Sequence, residues 1–307
     1  MSKEIFFYIE KYIEFIFAQK NLSKNTILSY ENDLKELVRF FGKKDPLIYS
    51  NEDIKDYIFF LSRKYSPKTH CRKLSSVKNF FLFLVESNLI KRNPVENFSF
   101  PKIPKSVPKF LSESEINQLI EKSNEDKTLK GLRLTLQLEI LYVTGIRVSE
   151  LVNIKNGDIN DDLSFIIIKG KGGDQRIVPI FGKVLDILKI YIDGLRSSQN
   201  GAINKFLFPS NSKEGHLTRN RFFQILKNLA NKINLDPARV SPHIIRHSFA
   251  SHLLNRGVDL RIIQESLGHK DISTTQIYTH IQPTKLRKIL EKKHSIDDEL
   301  KKFKKLS

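Results

Sequence analysis

The chain has 307 residues, 40% of them hydrophobic and 22 of them Phe, which is enough for two domains that each bury a core. Its formal net charge is +18, shared between residues 1 to 108 (19 basic, 12 acidic) and the remainder (33 basic, 22 acidic), so both halves can meet one polyanion, nucleic acid before membrane. A single cysteine, Cys71, excludes a disulfide framework and a cysteine-based zinc site, and the absence of a signal peptide or of an apolar run near ~20 residues predicts a cytoplasmic protein. Charge alone argues weakly, because heavy use of Lys, Asn, Ile and Phe is also what an A+T-biased genome produces.

The first ninety residues read as four helices. Ile5, Ile9, Tyr12, Ile13 and Ile16 recur at helical spacing; Ser23 caps a second segment carrying Ile27, Tyr30, Leu34, Leu37 and Phe41. A third helix is predicted from Glu52 to Lys64. Ser66-Pro67 then places a cap before a proline at the first helical position and opens a fourth, with Leu74, Val77, Phe81 and Leu84 on one stripe. From Asn93 to Phe110 the pattern stops: prolines at 94, 101, 104 and 108 alternate with Lys102, Lys105 and Lys109, as in an extended linker whose lysines can meet phosphates.

Helical periodicity returns at Leu111, where Ser112 and Glu115 have capping-box spacing. One interruption follows, a β-branched run from Leu163 to Lys169, a turn over Gly170 to Asp174 and a second run from Gln175 to Ile180, which together predict a hairpin. Helices are predicted at 183–195, 219–233, 243–256 and 259–267, with Gly257 between the last two, and a charged helix with a basic end from Pro283 to Ser307. The fold class is therefore mostly α: a four-helix N-terminal domain (1–92), a Pro/Lys linker (93–110), an α+β domain with a small β-hairpin (111–294) and a charged tail (295–307).

Near the C-terminus His243, Arg246, Leu267-Gly268-His269 and Tyr278 fall within 36 residues, and upstream lie Arg147 and Lys171 among Gly170, Gly172 and Gly173. A phenol has a pKa of about 10 and needs a base and nearby cations to attack phosphorus, while a pentacoordinate phosphate needs fixed donors on its oxygens. Two arginines, two histidines and a lysine supply both. His243 and Arg246 lie three apart on one helix face near its N-terminus, a suitable place for an anion, with Ile245, Phe249 and Leu253 on the stripe facing the core. Alone, His-x-x-Arg is a weak signal, and an ordinary solvated or salt-bridged pair is much the commoner reading. No carboxylate lies between Pro242 and Arg256, which makes zinc a poor second reading of His243, His247, His252 and His269; His247 reads as a buried histidine and His252 as a surface one.

The phrase from Ser241 to His252, then Leu267-Gly268-His269, Ser273 to His280, and Thr144-Gly145-Ile146-Arg147-Val148-Ser149-Glu150-Leu151 closely resembles the tyrosine site-specific recombinases of the phage-integrase family over nearly the whole chain. Within them it is similar to the Xer group, nearer the XerD branch than the XerC one by Arg256-Gly257-Val258-Asp259-Leu260-Arg261 and the Arg147-to-His243 spacing. The resemblance implies a helical core-binding domain and a catalytic domain closing on duplex DNA. Tyr278 would attack the scissile phosphate and become a 3′-phosphotyrosine; Arg147 and Arg246 would hold the non-bridging oxygens; His243 would serve as base and then acid; His269 would donate to the phosphate; Lys171 would protonate the departing 5′-oxygen, with Lys169 as the alternative. Because one ester replaces another, neither ATP nor a metal is called for, and no cofactor is expected.

Glu150, three residues after Arg147, is either an acceptor that orients the site or half of an ordinary helical ion pair. Arg219, Asn220 and Arg221 open a helix and are candidates for contacts with DNA, or simply a solvated helix start. The resemblance further implies a specific double-stranded recombination site, an XerC-like partner, a tetrameric synapse, resolution of circular chromosome dimers at cell division, and a septal DNA translocase as a possible activator. The competing readings are a mobile-element integrase, a type IB topoisomerase-like enzyme that swivels one strand, and a DNA-binding protein that has lost catalysis.

Overall fold

The computed structural model describes residues 2–19, 22, 24–42, 44–102, 110–170, 175–198, 205–268 and 283–293. The chain divides into two compact units, Met1–Val107 and Pro108–Ser307.

The first unit is built on α1 (Ser2–Gln19), α2 (Lys24–Phe41), α3 (Asn51–Lys64) and α4 (Pro67–Glu86), the four helices expected from the periodicity. Ser50 starts α3 with a reciprocal capping box: Asp53 N–H donates to Ser50 Oγ at 3.2 Å and Ser50 N–H to Asp53 Oδ2 at 2.7 Å. The helix therefore begins one residue before the predicted start. Pro67 occupies the first position of α4, but Ser66 donates its hydroxyl to Thr69 Oγ1 and does not cap. The Ser23 cap lies outside the described residues. Ile9, Tyr12 and Ile16 of α1 pack with Leu34 and Leu37 of α2, Ile54, Tyr57 and Leu61 of α3, and Leu74, Val77, Phe81 and Leu84 of α4. Val95, within the stretch read as linker, is buried in this same core.

A charged network closes one side of that core. Asp33, almost fully buried, accepts from Lys73 at 2.9 Å and from both terminal nitrogens of Arg72; Glu36 accepts from Lys73, Lys64 and the Tyr65 hydroxyl. Burial alone would raise the Glu36 carboxyl, but the hydrogen bonds from Lys73, Tyr65 and Lys64 outweigh it and hold the group down at about 2.

In the second unit α5 (Glu113–Asn124) opens with the expected capping box of Ser112 and Glu115. It packs on α6 (Leu129–Thr144), which is buried over almost all of its last ten residues and forms the axis of the unit. Leu136, Leu138, Ile140, Leu141, Tyr142 and Val143 leave this stretch without a solvent face, although Gln137 and Glu139 are buried with them. After the short α7 (Val148–Val152), the hairpin pairs β1 (Phe165–Lys169) with β2 (Gln175–Pro179) in antiparallel register, Lys169 opposite Gln175 and Ile168 opposite Arg176. Next come α8 (Lys183–Ser198), α9 (Arg219–Lys232), α10 (Pro242–Asn255) and α11 (Leu260–Leu267), close to the predicted ranges, and α12 (Pro283–Lys293), which covers the first part of the helix predicted to Ser307. Residues 294–307 lie outside those described.

The join between α10 and α11 explains the Arg256–Arg261 phrase. Gly257 takes a left-handed φ of 75°, Arg256 forms a two-pronged ion pair with Glu113, and Asp259 caps α11 by accepting from Arg261 N–H at 2.7 Å. Among the described residues no helix is long and apolar enough to cross a membrane.

Candidate active site

The site grows out of the end of α6. Gly145 terminates that helix in the left-handed region at φ 60°, and a Cβ there would lie 2.4 Å from the Phe249 ring, so both backbone and space require glycine. The turn brings Arg147 to the cap of α7 and Glu150 into its first turn. Glu150 is buried, and its carboxylate takes four hydrogen bonds: from the Arg147 backbone N–H at 2.8 Å, Arg147 Nη1 at 3.1 Å, Arg176 Nη1 at 3.1 Å and Arg176 Nη2 at 2.7 Å. Burial pushes this carboxyl up, but the Arg176 guanidinium and the donors of Arg147 overcome that and leave it below the usual range, ionised at neutral pH.

Arg246 projects from α10, which Ser241 starts by accepting from Ile244 N–H at 3.2 Å, with Pro242 in first position. Ile245, Phe249 and Leu253 of this helix enter the core, as expected, whereas Leu254 is exposed. Arg246 is itself buried; it donates Nη1 to the carbonyl of Gly145 and Nη2 to the carbonyl of Leu267 at 2.8 Å. Burial, followed by repulsion from Arg147, lowers its guanidinium to about 10, still charged at neutral pH. Two guanidiniums thus hold one carboxylate, Arg147 and Arg176 on Glu150, and the third, Arg246, is anchored to the turn that leads to Arg147. His243 stands exposed on the first turn of α10, three residues before Arg246.

Of the residues expected at the site, the fold gathers Arg147, Glu150 and Arg246 and sets His243 on the helix of the last. Lys171, His269 and Tyr278 lie outside the described residues, as does the 273–280 phrase. Lys169, the alternative acid, pairs through Nζ with Asp158 Oδ1 at 2.7 Å. Arg219 and Asn220 line an open cleft of about 440 Å³ with Ser149, Asn153, His216 and Thr218, while Arg221 reaches Gln224 on its own helix.

One histidine expectation is reversed and the other is met only in part. His252 is buried, its Nδ1 3.0 Å from the Tyr142 hydroxyl, and His247 is only half-buried. Helix α10 meets α6 on one side and the residues before α5 on another, with Leu111 N–H donating to Ser248 Oγ and the Phe110 ring against His252, so burial spreads beyond one stripe. Burial accordingly lowers the His252 pKa. Among the described residues no three His, Cys, Asp or Glu side chains gather as a metal-binding group.

Arg176 was not singled out by motif. Its signal was available: strand alternation turns it to the same face as Val178, which is buried, an unusual position for a charge without partners. Fixed arginines flanking one carboxylate, two of them anchored by backbone carbonyls or a buried acid, make a surface that can hold the oxygens of a phosphate diester.

Known proteins carry the same organisation. Residues 109–285 match the Phage integrase family, and residues 9–88 match the Phage integrase, N-terminal SAM-like domain. The chain is 38% identical over 300 residues to the tyrosine recombinase XerD of Rickettsia conorii, covering 92% of this chain and 97% of the relative, and 40% identical over 297 residues to XerD of Rickettsia prowazekii, covering 92% and 95%. In fold it is similar to the XerH site-specific recombinase in its post-cleavage complex with a palindromic difH substrate, at a TM-score of 0.69 and 23% identity, over 89% of this chain and 81% of that one. The chain belongs to the phage integrase family: it is a tyrosine recombinase, an enzyme of site-specific recombination on DNA.

Proposed function

We propose that the chain cuts and rejoins duplex DNA through a transient 3′-phosphotyrosine at Tyr278, and that its task is the resolution of circular chromosome dimers in the cytoplasm at cell division. The observation that carries this reading is the pair Arg147 and Arg246, brought to the same turn by the bond from Arg246 to Gly145 two residues before Arg147. In the cleavage step the Tyr278 oxygen bonds to phosphorus, the bond to the 5′-oxygen breaks, and the two arginines hold the non-bridging oxygens. His243 takes the phenolic proton, His269 donates to the phosphate, and Lys171 protonates the departing 5′-oxygen. Glu150 orients Arg147. The reverse sequence, with a new 5′-hydroxyl, rejoins the strand without ATP.

Both units contact DNA in this reading, with Arg219, Asn220 and Arg221 at its surface and most of the affinity coming from phosphates. The stretch 93–110 is the link between them, which is supported by the division at Val107; its first part still belongs to the first unit, with Val95 in that core, Phe98 packed against it and the Pro101 carbonyl accepting from Cys71 Sγ. The chromosomal task and an XerC-like partner within a four-protomer synapse, activated by a septal translocase, are supported by the relatives named XerD.

The test is a plasmid carrying two candidate chromosomal sites, incubated with this protein with and without an XerC-like recombinase. Recombinant circles that need both proteins support the assignment. Relaxation of a plasmid without any site, and no recombinants, would make the chain a swivelling topoisomerase instead.

A further inference from the structure

Arg176 stands outside the catalytic set proposed above, yet it joins the segments that carry it. It sits on β2 opposite Ile168, and its side chain is only 17% exposed. From there Nη1 and Nη2 grip the Glu150 carboxylate on α7, while Nε donates to the carbonyl of Ser266 near the end of α11 at 3.3 Å. The guanidinium also lies against Gly268: a Cβ at that position would be 3.2 Å from Arg176 Nη1, and Gly268 has a φ of 64°. One side chain thereby ties the strand that begins four residues after Lys171, the helix capped by Arg147 and the residue immediately before His269.

The electrostatics assign it a sharper task than bracing. A carboxylate has about four acceptor sites, and those of Glu150 are filled by two donors from Arg147 and two from Arg176. Without Arg176 a nearly buried carboxylate would have half of its acceptors empty, a costly state that the nearest cation relieves. That cation is Arg147, whose side chain is 46% exposed and already gives Glu150 one side-chain bond, through Nη1 at 3.1 Å. We propose that Arg176 is a positioning residue for DNA cleavage: it fills the remaining acceptors of Glu150, so that Arg147 is held by that single bond and keeps the rest of its fork for the scissile phosphate in place of collapsing fully onto the carboxylate, and it fixes the backbone that leads to His269.

The proposal rests on the function proposed above, and single-turnover cleavage of a nicked suicide substrate at saturating DNA separates the two. Arg176→Met keeps the aliphatic stem and is expected to bind site DNA as the wild type does while forming the covalent adduct about 10- to 100-fold more slowly, the effect of misplacing one reacting group. Adding Glu150→Gln removes the charge that would capture Arg147 while its amide oxygen can still accept one bond from that side chain, and is expected to restore part of that rate. A purely bracing role would not be rescued by a second loss of contacts. If Arg176→Met does not fold, as judged by its thermal melt, Arg176→Lys and Arg176→Lys with Glu150→Gln serve for the same comparison, since lysine keeps the charge but not the fork. Wild-type cleavage by the single variant, or a double variant no faster than the single one, overturns the proposal. A wild-type chain that forms no adduct would instead strike at the function itself.

Discussion

Arg246 donates to the backbone carbonyl of Leu267 at 2.8 Å, two residues before His269, and to the carbonyl of Gly145, two residues before Arg147. One guanidinium thus sets the spacing of two chain segments far apart in sequence, as well as carrying charge. Arg246→Lys keeps the charge and loses the fork, so cleavage is expected to fall by about 100- to 1000-fold, as when a fixed transition-state donor is removed. Single-turnover adduct formation measures it; a rate near wild type would mean that Arg246 does not hold the phosphate.

Gly145 is the second constraint on that geometry. Gly145→Ala places a methyl group 2.4 Å from the Phe249 ring at a left-handed backbone position. Overpacking and the αL penalty together are expected to cost about 2–4 kcal/mol, read as a lower urea midpoint of the full chain. Combining it with Phe249→Leu should recover part of the loss, because only the steric share is relieved.

The two hairpin lysines have separable expectations. Lys169 is engaged by Asp158, so Lys169→Ala should leave cleavage close to wild type. Lys171→Ala should slow cleavage by about 100-fold or more, the usual contribution of a general acid. A 5′-phosphorothiolate substrate, whose leaving group needs no proton, should restore the Lys171→Ala rate. Lack of rescue would return the role to Lys169 or to water.

Acid should weaken the first unit through Glu36. Its carboxyl is held at about 2 in the folded chain against an ordinary 4.5, so the unfolded chain takes up the proton first as pH falls. The stabilisation is complete above about pH 5 and is lost as the pH drops through about 4.5 toward 2. Glu36→Gln should remove on the order of 1 kcal/mol at neutral pH, the site being partly open to water, and flatten the pH dependence in that window. Urea denaturation at pH 7, 4.5 and 3 distinguishes the two chains; parallel losses would remove Glu36 from the acid response.

Helix starts were among the legible parts of this sequence, because Ser112 with Glu115 and Pro67 at the first position of α4 act locally, within one turn, although Ser66 before that proline does not cap. The hairpin was legible for the same reason, in the β-branched run that pairs from Phe165 to Lys169. Arg147, Glu150 and Arg246 could be named from motif, but not the way the site is held, which rests on contacts such as Arg176 to Glu150 across 26 positions. The His252 assignment reversed because α10 is packed beyond a single stripe; Tyr142, which partners His252, is 110 residues away in sequence. α7, with five residues, is too short for periodicity to announce it.

The central claim, that the Tyr278 phenol temporarily replaces a sugar oxygen in the DNA backbone, is tested most directly by covalent capture on a nicked suicide substrate carrying the chromosomal site. The wild-type chain should give a denaturant-resistant protein–DNA complex whose modified peptide contains Tyr278, and Tyr278→Phe should bind the same DNA with unchanged affinity and form none. A covalent complex that persists in Tyr278→Phe would contradict the account.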